Sequence, residues 1–133
     1  MLASFALALP LARPAHAGPS DGRPWWQSPS IQSSIELTPE QVGRLDAIHR
    51  ESLPERRRLR EQLTCLQNLL GRVLDEGRSD DDHGRLIIER VFEAQKQRNI
   101  ARTVMLLRMY RVLNPGQREK LARLSAAGGA GVQ

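Results

Sequence analysis

The chain has 133 residues, of which 40% are hydrophobic, 26% are charged and only 4% are aromatic, with one Cys and a formal charge of +5. This length accommodates one small domain. Eight Pro and ten Gly, set against few aromatic and β-branched residues, argue against a β-sandwich, a β-barrel or a nucleotide-binding βαβ array. The composition therefore predicts an all-α fold.

The N-terminal segment 1–17 has the pattern of a secretory signal peptide. An apolar stretch is followed by Pro14 and by Ala15-His16-Ala17, the small-x-small pattern that signal peptidase accepts. The apolar stretch is shorter than the roughly 20 residues that span a bilayer. We expect cleavage after about Ala17 and export of the remaining chain.

Residues 18–35 are predicted to form a flexible N-terminal arm. The first thirteen of them are rich in Pro, Gly and Ser, a composition that regular elements do not tolerate. The arm holds the only two tryptophans, Trp25 and Trp26. An exposed Trp pair would mark a binding surface, whereas an arm that folds back would bury it against the helices, and the sequence leaves both open.

A strong helix start follows the arm. Thr38 can cap a helix, Pro39 suits its first position, and Gln41 is placed to complete a capping box. Apolar residues then recur at helical spacing. Pro54 is predicted to kink or interrupt this helix, because its ring displaces a backbone hydrogen bond.

The next stretch predicts a long helical hairpin. Gly77 ends the first helix, Ser79 is expected to cap the second, and the acidic residues at 80–82 suit its N-terminal dipole without a metal. The second helix is predicted over about 80–113. Before the turn, apolar residues alternate at spacings of four and three, which is a coiled-coil seam that needs a partner helix; these residues are Leu59, Leu63, Leu66, Leu70 and Val73.

A second helix start has the same form as the first. Leu113-Asn114-Pro115-Gly116-Gln117 again provides a cap residue, Pro at the first helical position and Gln at the third. A last short helix follows, and residues 126–133 are predicted to form a disordered tail. The chain thus contains one helical domain over 36–125, an elongated antiparallel hairpin of about four helices.

The hairpin register can be predicted as well. With the turn near Arg78, facing residues have numbers that sum to about 157, so that the two apolar seams coincide. This register also gathers a basic belt at the middle of the hairpin, where Arg56, Arg57, Arg58 and Arg60 lie level with Arg98 and Arg102.

The two helix starts resemble the paired LTxxQ motifs of the Spy/CpxP family of periplasmic chaperones and stress proteins. The matching residues are Leu37, Thr38 and Gln41 in the first copy and Leu113, Asn114 and Gln117 in the second, where Asn replaces Thr. The resemblance implies a hooked all-α hairpin that forms a dimeric cradle in the periplasm. It also implies ATP-independent holding of unfolded proteins on a basic face with apolar patches, or modulation of envelope stress. A membrane sensor kinase or an anti-sigma factor stays open as a partner.

A client-binding surface can be assigned on this basis. Charge for capture and flexible apolar surface for varied clients together suit a promiscuous binder. The alternative is that the methionines are core residues, because helical spacing alone predicts their burial. The predicted client-binding residues are Arg56, Arg57, Arg60, Arg98, Arg102, Met105 and Met109.

The wider superfamily includes the ZraP and CnrX metal-responsive proteins, which gives an alternative function. The resemblance to that branch implies a site for zinc, nickel or copper whose ligands include two His one turn apart on a helix. After the signal segment the chain has only His49 and His83, and neither has a second His three or four positions away. They remain weak metal-ligand candidates. We therefore expect the protein to have no cofactor, and a metal only in this alternative.

The other classes of function have little support. Export argues against nucleic-acid binding despite the positive charge, and a hairpin of this size offers no deep pocket for a small-molecule substrate. The chain has no HExxH, Gly-x-Ser-x-Gly or phosphate-binding loop, so we expect no enzyme activity. The lone Cys65 cannot form an internal disulfide, and it is buried, free or bridged between chains.

Overall fold

A computed structural model describes residues 23–129 as a helical hairpin with additional short elements at its open end. A 3₁₀ turn at Trp25–Gln27 precedes four α-helices, and these residues include no strand. The predicted all-α class is therefore confirmed. The helices are α1 (Pro29–Ser34), α2 (Pro39–Glu76), α3 (Asp81–Val112) and α4 (Pro115–Gly129).

A tight turn joins the two long helices. Gly77 ends α2 in the left-handed conformation, with φ at 61°, which Gly adopts without the steric penalty of a Cβ. The predicted cap at Ser79 is wrong by one residue. Asp80 caps α3 instead, because its carboxylate accepts a hydrogen bond from the backbone N–H of His83 at 2.8 Å.

The predicted register holds along the hairpin. Leu63 packs in one buried cluster with Val91 and Ala94, and Leu66 lies against the same cluster. Nearer the open end, the Ser52 hydroxyl donates to the Met105 sulfur at 3.0 Å, and these two numbers also sum to 157. The seam therefore keeps one register over more than three turns of each helix.

The predicted interruption at Pro54 does not occur, because α2 is continuous across it. Pro54 and Arg50, four residues earlier, are both exposed. The carbonyl that loses its helical partner is thus on a solvent-facing part of the helix, where water can satisfy it. Buried Leu45 and Leu59 hold the helix to the core on either side.

A second and larger core lies at the open end of the hairpin. The segment predicted as a flexible arm is helical from Trp25, and it folds back so that Trp26 is only 4% exposed. The apolar side chains of this segment outweigh its Pro-rich composition, because they complete a core that the two long helices leave open. This core contains Trp26, Ile31, Ile35, Leu45, Met105, Met109, Leu113 and Leu121.

The end of the chain is also more ordered than predicted. Helix α4 runs to Gly129, so the predicted disordered tail from 126 is helical over its first four residues. The apparent breakers at 128–129 stand in the last turn, where a helix tolerates Gly. The predicted signal segment 1–17 and residues 130–133 lie outside the described residues.

Candidate functional site

The two sequence motifs form two capping boxes. The Thr38 hydroxyl accepts from the Gln41 backbone N–H at 3.1 Å, and the Gln41 side chain accepts from the Thr38 N–H at 3.0 Å. Asn114 and Gln117 repeat this exchange at 2.8 and 3.0 Å. Asn therefore replaces Thr without loss of the cap, because both side chains present an oxygen acceptor to the helix start.

The glutamines of the two motifs also bind each other. Gln41 Nε2 donates to Gln117 Oε1 at 2.8 Å, and Gln117 Nε2 donates to Gln41 Oε1 at 2.9 Å. Their second N–H groups reach backbone carbonyls of the segment that precedes the other motif, at Val112 and Glu36. Each amide thus uses both donors and both acceptor positions, and this joins the starts of α2 and α4. Leu37 and Leu113 pack in the adjoining core.

The N-terminal segment is tied to α2 by one carboxylate. Asp46 accepts from the Trp26 indole N–H at 2.8 Å and from the Gln27 amide at 2.7 Å. The hydrogen bond from Trp26 has the larger effect and that from Gln27 the smaller, and both lower the pKa of the Asp46 carboxyl below its ordinary value. The His49 ring, one turn further along α2, packs against Trp26 with 5.1 Å between ring centroids.

An arginine cluster lies at the middle of the hairpin. Arg56 is half-buried, and burial followed by the charges of Arg60 and Arg102 lowers its pKa. Arg98 and Arg102 are also half-buried, one helical turn apart on α3. Among the described residues no carboxylate forms an ion pair with any of these four, in contrast to Arg58, which binds Glu55 at 2.8 Å. We call Arg56, Arg60, Arg98 and Arg102 the arginine cluster.

The structure separates the predicted belt into members of different kinds. Arg57 is exposed, and the helical period turns it about 100° from Arg56 and away from α3. The ion pair of Arg58 with Glu55 neutralises it. The belt is therefore narrower than the sequence suggested, and its unpaired charge faces one side of the hairpin.

The assignment of Met105 and Met109 to the client-binding surface is wrong. Met109 is fully buried and Met105 is 7% exposed, because both point into the core at the open end. Met105 has a supporting role, since its sulfur also accepts from Arg56 Nη1 at 3.4 Å. The thioether holds the Arg56 head without neutralising its charge.

Exposed apolar side chains were the main feature that sequence reasoning missed. At about 100° per residue, Ile88 lies on the flank of α3 that carries Arg102, further toward the turn, whereas Phe92 lies about 120° around the helix from Arg98. Phe92 is 58% exposed. The available signal was the presence of large apolar residues outside the seam of α3. The exposed set is Leu74, Leu86, Ile88, Phe92, Ile100, Val104, Leu107 and Leu124.

Cys65 is exposed, which rules out the buried alternative. It borders an open groove of about 460 Å³ between α2 and α3. The groove lies on the side of the hairpin opposite the arginine cluster. The lining residues are Gln62, Cys65, Leu66, Arg90, Glu93, Ala94 and Gln97.

The two histidines are far apart in the fold. His49 is half-buried against Trp26, whereas His83 is exposed in the first turn of α3. Burial and then the charge of Arg56 lower the pKa of His49, and Asp46 partly opposes them. Within residues 23–129 no group of three His, Cys, Asp or Glu side chains is placed to hold a metal ion.

Fold and site together define an all-α hairpin protein in which two glutamine-containing helix starts meet and an unpaired arginine cluster lies between them and the turn. The chain belongs to the LTXXQ motif family, whose model matches residues 25–125. This is the motif of the Spy/CpxP proteins, which are generally periplasmic. Neither the curated proteins nor the solved structures searched include a match. None of the helices in residues 23–129 has an apolar stretch long enough to cross a membrane.

Proposed function

We propose that this protein is an exported periplasmic chaperone that holds partly unfolded proteins without ATP. Family membership supports the general assignment, and the arginine cluster is the observation that carries it. The guanidinium groups of Arg60 and Arg102 repel that of Arg56, and no carboxylate among the described residues forms an ion pair with the arginine cluster. Such like charges lower the stability of the fold, and a use in binding accounts for their presence.

The surroundings of the cluster suit an unfolded chain as ligand. Acidic segments can pair with the guanidinium forks, and apolar segments can lie on the exposed Ile88 and Phe92 of α3, further toward the turn. The surface is open and shallow, so it accepts varied sequences. Contacts of this kind are weak individually and release the client readily.

Light scattering from a chemically unfolded client tests this proposal. We expect the purified protein to suppress aggregation at near-equimolar ratio without added metal. The variant Arg60→Gln/Arg102→Gln should lose most of this suppression, and so should the wild-type protein at about 0.5 M salt, where the Debye length is only about 4 Å.

A matched variant separates the cluster from net charge. Arg72→Gln/Arg108→Gln removes two exposed arginines outside the cluster, and it should keep the wild-type suppression. Equal losses in both double variants would show that only total charge matters. Suppression that appears only after zinc, nickel or copper is added would contradict the proposal and favour a metal-responsive protein.

A further inference from the structure

The apolar seam of α3 is interrupted at the middle of the hairpin. Its buried residues follow the spacings of four and three that a seam requires, and they are Ile87, Val91, Ala94, Met105 and Met109. Continued from Ala94, the same spacing passes through Arg98 and Ala101 before it reaches Met105. A charged and a small side chain therefore occupy the seam where the cluster around Leu63 ends and the core at the open end begins.

Arg98 brings a positive charge into this interruption. It is half-buried, and the register of the hairpin sets it level with position 59, between Arg56 and Arg60 along α2. An arginine in such a place packs its stem against apolar neighbours and brings its guanidinium to the edge of the interface. Arg102 lies one turn further along α3 and only about 40° around the helix, so the two share this edge.

The described residues supply no negative charge to this place. Positions 94–112 of α3 include no Asp or Glu. On α2, Glu55 is bound to Arg58, and no ion pair among the described residues includes a member of the arginine cluster. Arg56 is held by the Met105 sulfur, which is a neutral acceptor. A charge in a seam without a counter-ion costs stability, so we expect a ligand to provide that counter-ion.

Phosphate has the chemistry that suits this cluster. Each guanidinium is a planar fork that can bind two oxygens of one phosphate, and the remaining oxygens can bind a second arginine. A carboxylate has one charge and two oxygens, so it satisfies one such fork. A chain of a few phosphates, or several phosphate headgroups on a surface, carries enough charge to match all four arginines.

We propose that the arginine cluster, with Arg98 at its centre, is a binding site for phosphate groups, carried either by a soluble oligophosphate or by lipid headgroups. This inference goes beyond the holding of unfolded proteins, because it assigns the cluster a ligand of different chemistry. A bound phosphate ligand occupies the guanidinium groups that acidic client segments need. It should therefore release clients from the protein.

Isothermal titration calorimetry with sodium tripolyphosphate tests the site without a client. We expect saturable binding, and Arg98→Met should weaken it at least about tenfold, the loss of one charge-assisted interaction. Arg90→Met is the matched control, because Arg90 is exposed on α3 and borders the groove on the other side of the hairpin. It should bind like the wild-type protein. Absence of binding, or equal affinities of the two variants, would overturn the proposal.

Urea unfolding separates a binding role of Arg98 from a structural one. Without ligand, Arg98→Met should unfold at a higher urea concentration than the wild-type protein, because Met suits an apolar seam and removes the charge. Tripolyphosphate should raise the midpoint of the wild-type protein but not that of the variant. A lower midpoint of Arg98→Met without ligand, or an equal rise in both proteins, would contradict the proposal.

Two further probes identify what the site recognises. Citrate, a carboxylate polyanion, should bind much more weakly than tripolyphosphate, and equal affinity would overturn the assignment to phosphate. Co-sedimentation with phosphatidylcholine vesicles that contain phosphatidic acid, if lost in Arg98→Met, would assign a lipid headgroup, whereas binding of tripolyphosphate alone would assign a soluble ligand. These measurements use no client, so failure of the holdase assay and failure of this proposal are distinguishable.

Discussion

The side-chain amides of Gln41 and Gln117 hydrogen-bond to each other in both directions, although 76 residues separate them. Each amide also closes the capping box of its own helix and reaches a carbonyl of the other segment. The glutamine of the motif is therefore required for two reasons at once. It starts a helix, and it fixes that helix against the second copy of the motif.

Gln117→Ala should destabilise the protein by about 3 kcal/mol. The change removes the Gln117 half of the capping box and leaves the Gln41 amide without its partner next to the core, and such effects each cost about 1–3 kcal/mol. Gln117 is 6% exposed, so water cannot easily replace the lost hydrogen bonds. Urea unfolding followed by circular dichroism would measure the loss.

Gln97→Ala serves as the control for this prediction. Gln97 binds Glu93 at 2.8 Å on the exposed surface of α3, and removing such a contact changes stability by at most about 0.5 kcal/mol. If the two variants unfold at the same urea concentration, the paired amides do not hold the two motifs together.

The sequence predicted the hairpin well because local signals agreed with one another. The capping boxes at Thr38 and Asn114, the glycine at Gly77 and the two apolar seams are short-range patterns, and the register follows from them by arithmetic. The residues around Trp26 could not be predicted in this way. Their composition favours an extended chain, and their order depends on a core and on Asp46, twenty residues away.

The site was only partly predictable for a similar reason. Periodicity identified Arg56, Arg98 and Arg102 as neighbours, but it could not tell which arginines have acidic partners. It also could not establish that Met105 and Met109 are buried and not available to a client. That distinction depends on where the N-terminal segment and α4 cover α3.

Stability should fall as pH drops below about 6.5, and His49 is the cause. Burial lowers the pKa of His49 in the folded protein. Below the ordinary His pKa of about 6.5, the unfolded chain therefore binds more protons than the folded chain, and unfolding becomes easier until the folded pKa is reached. His49→Gln should remove this slope in urea unfolding measured between pH 7 and 5.

Two other residues, Asp46 and His83, help to interpret that experiment. Asp46 has a lowered pKa, so its contribution is lost only at more acidic pH, below about 4. His83→Gln is the matched substitution at an exposed histidine in the first turn of α3, remote from Trp26. An unchanged slope in His49→Gln would show that another group controls it.

Arg60→Gln should stabilise the protein by about 0.5 kcal/mol while weakening client binding. The charge of Arg60 acts on the half-buried Arg56, and removing it relieves a like-charge repulsion of that order. Added salt should reduce the gain. Arg58→Gln is the control, because it removes the ion pair with Glu55 and should give no gain. A destabilised Arg60→Gln would mean that Arg60 has a favourable role in the fold itself.

Pro54→Ala should raise stability by about 2 kcal/mol in urea unfolding. Proline in a helix interior is about 3 kcal/mol less favourable than Ala, and Pro54 is exposed, so its side chain offers little packing in return. Pro39→Ala should give no such gain, because Pro39 occupies the first turn, where the missing N–H has no helical partner. Equal effects at both positions would mean that α2 already absorbs the distortion around Pro54, and that the helix is continuous there at no cost.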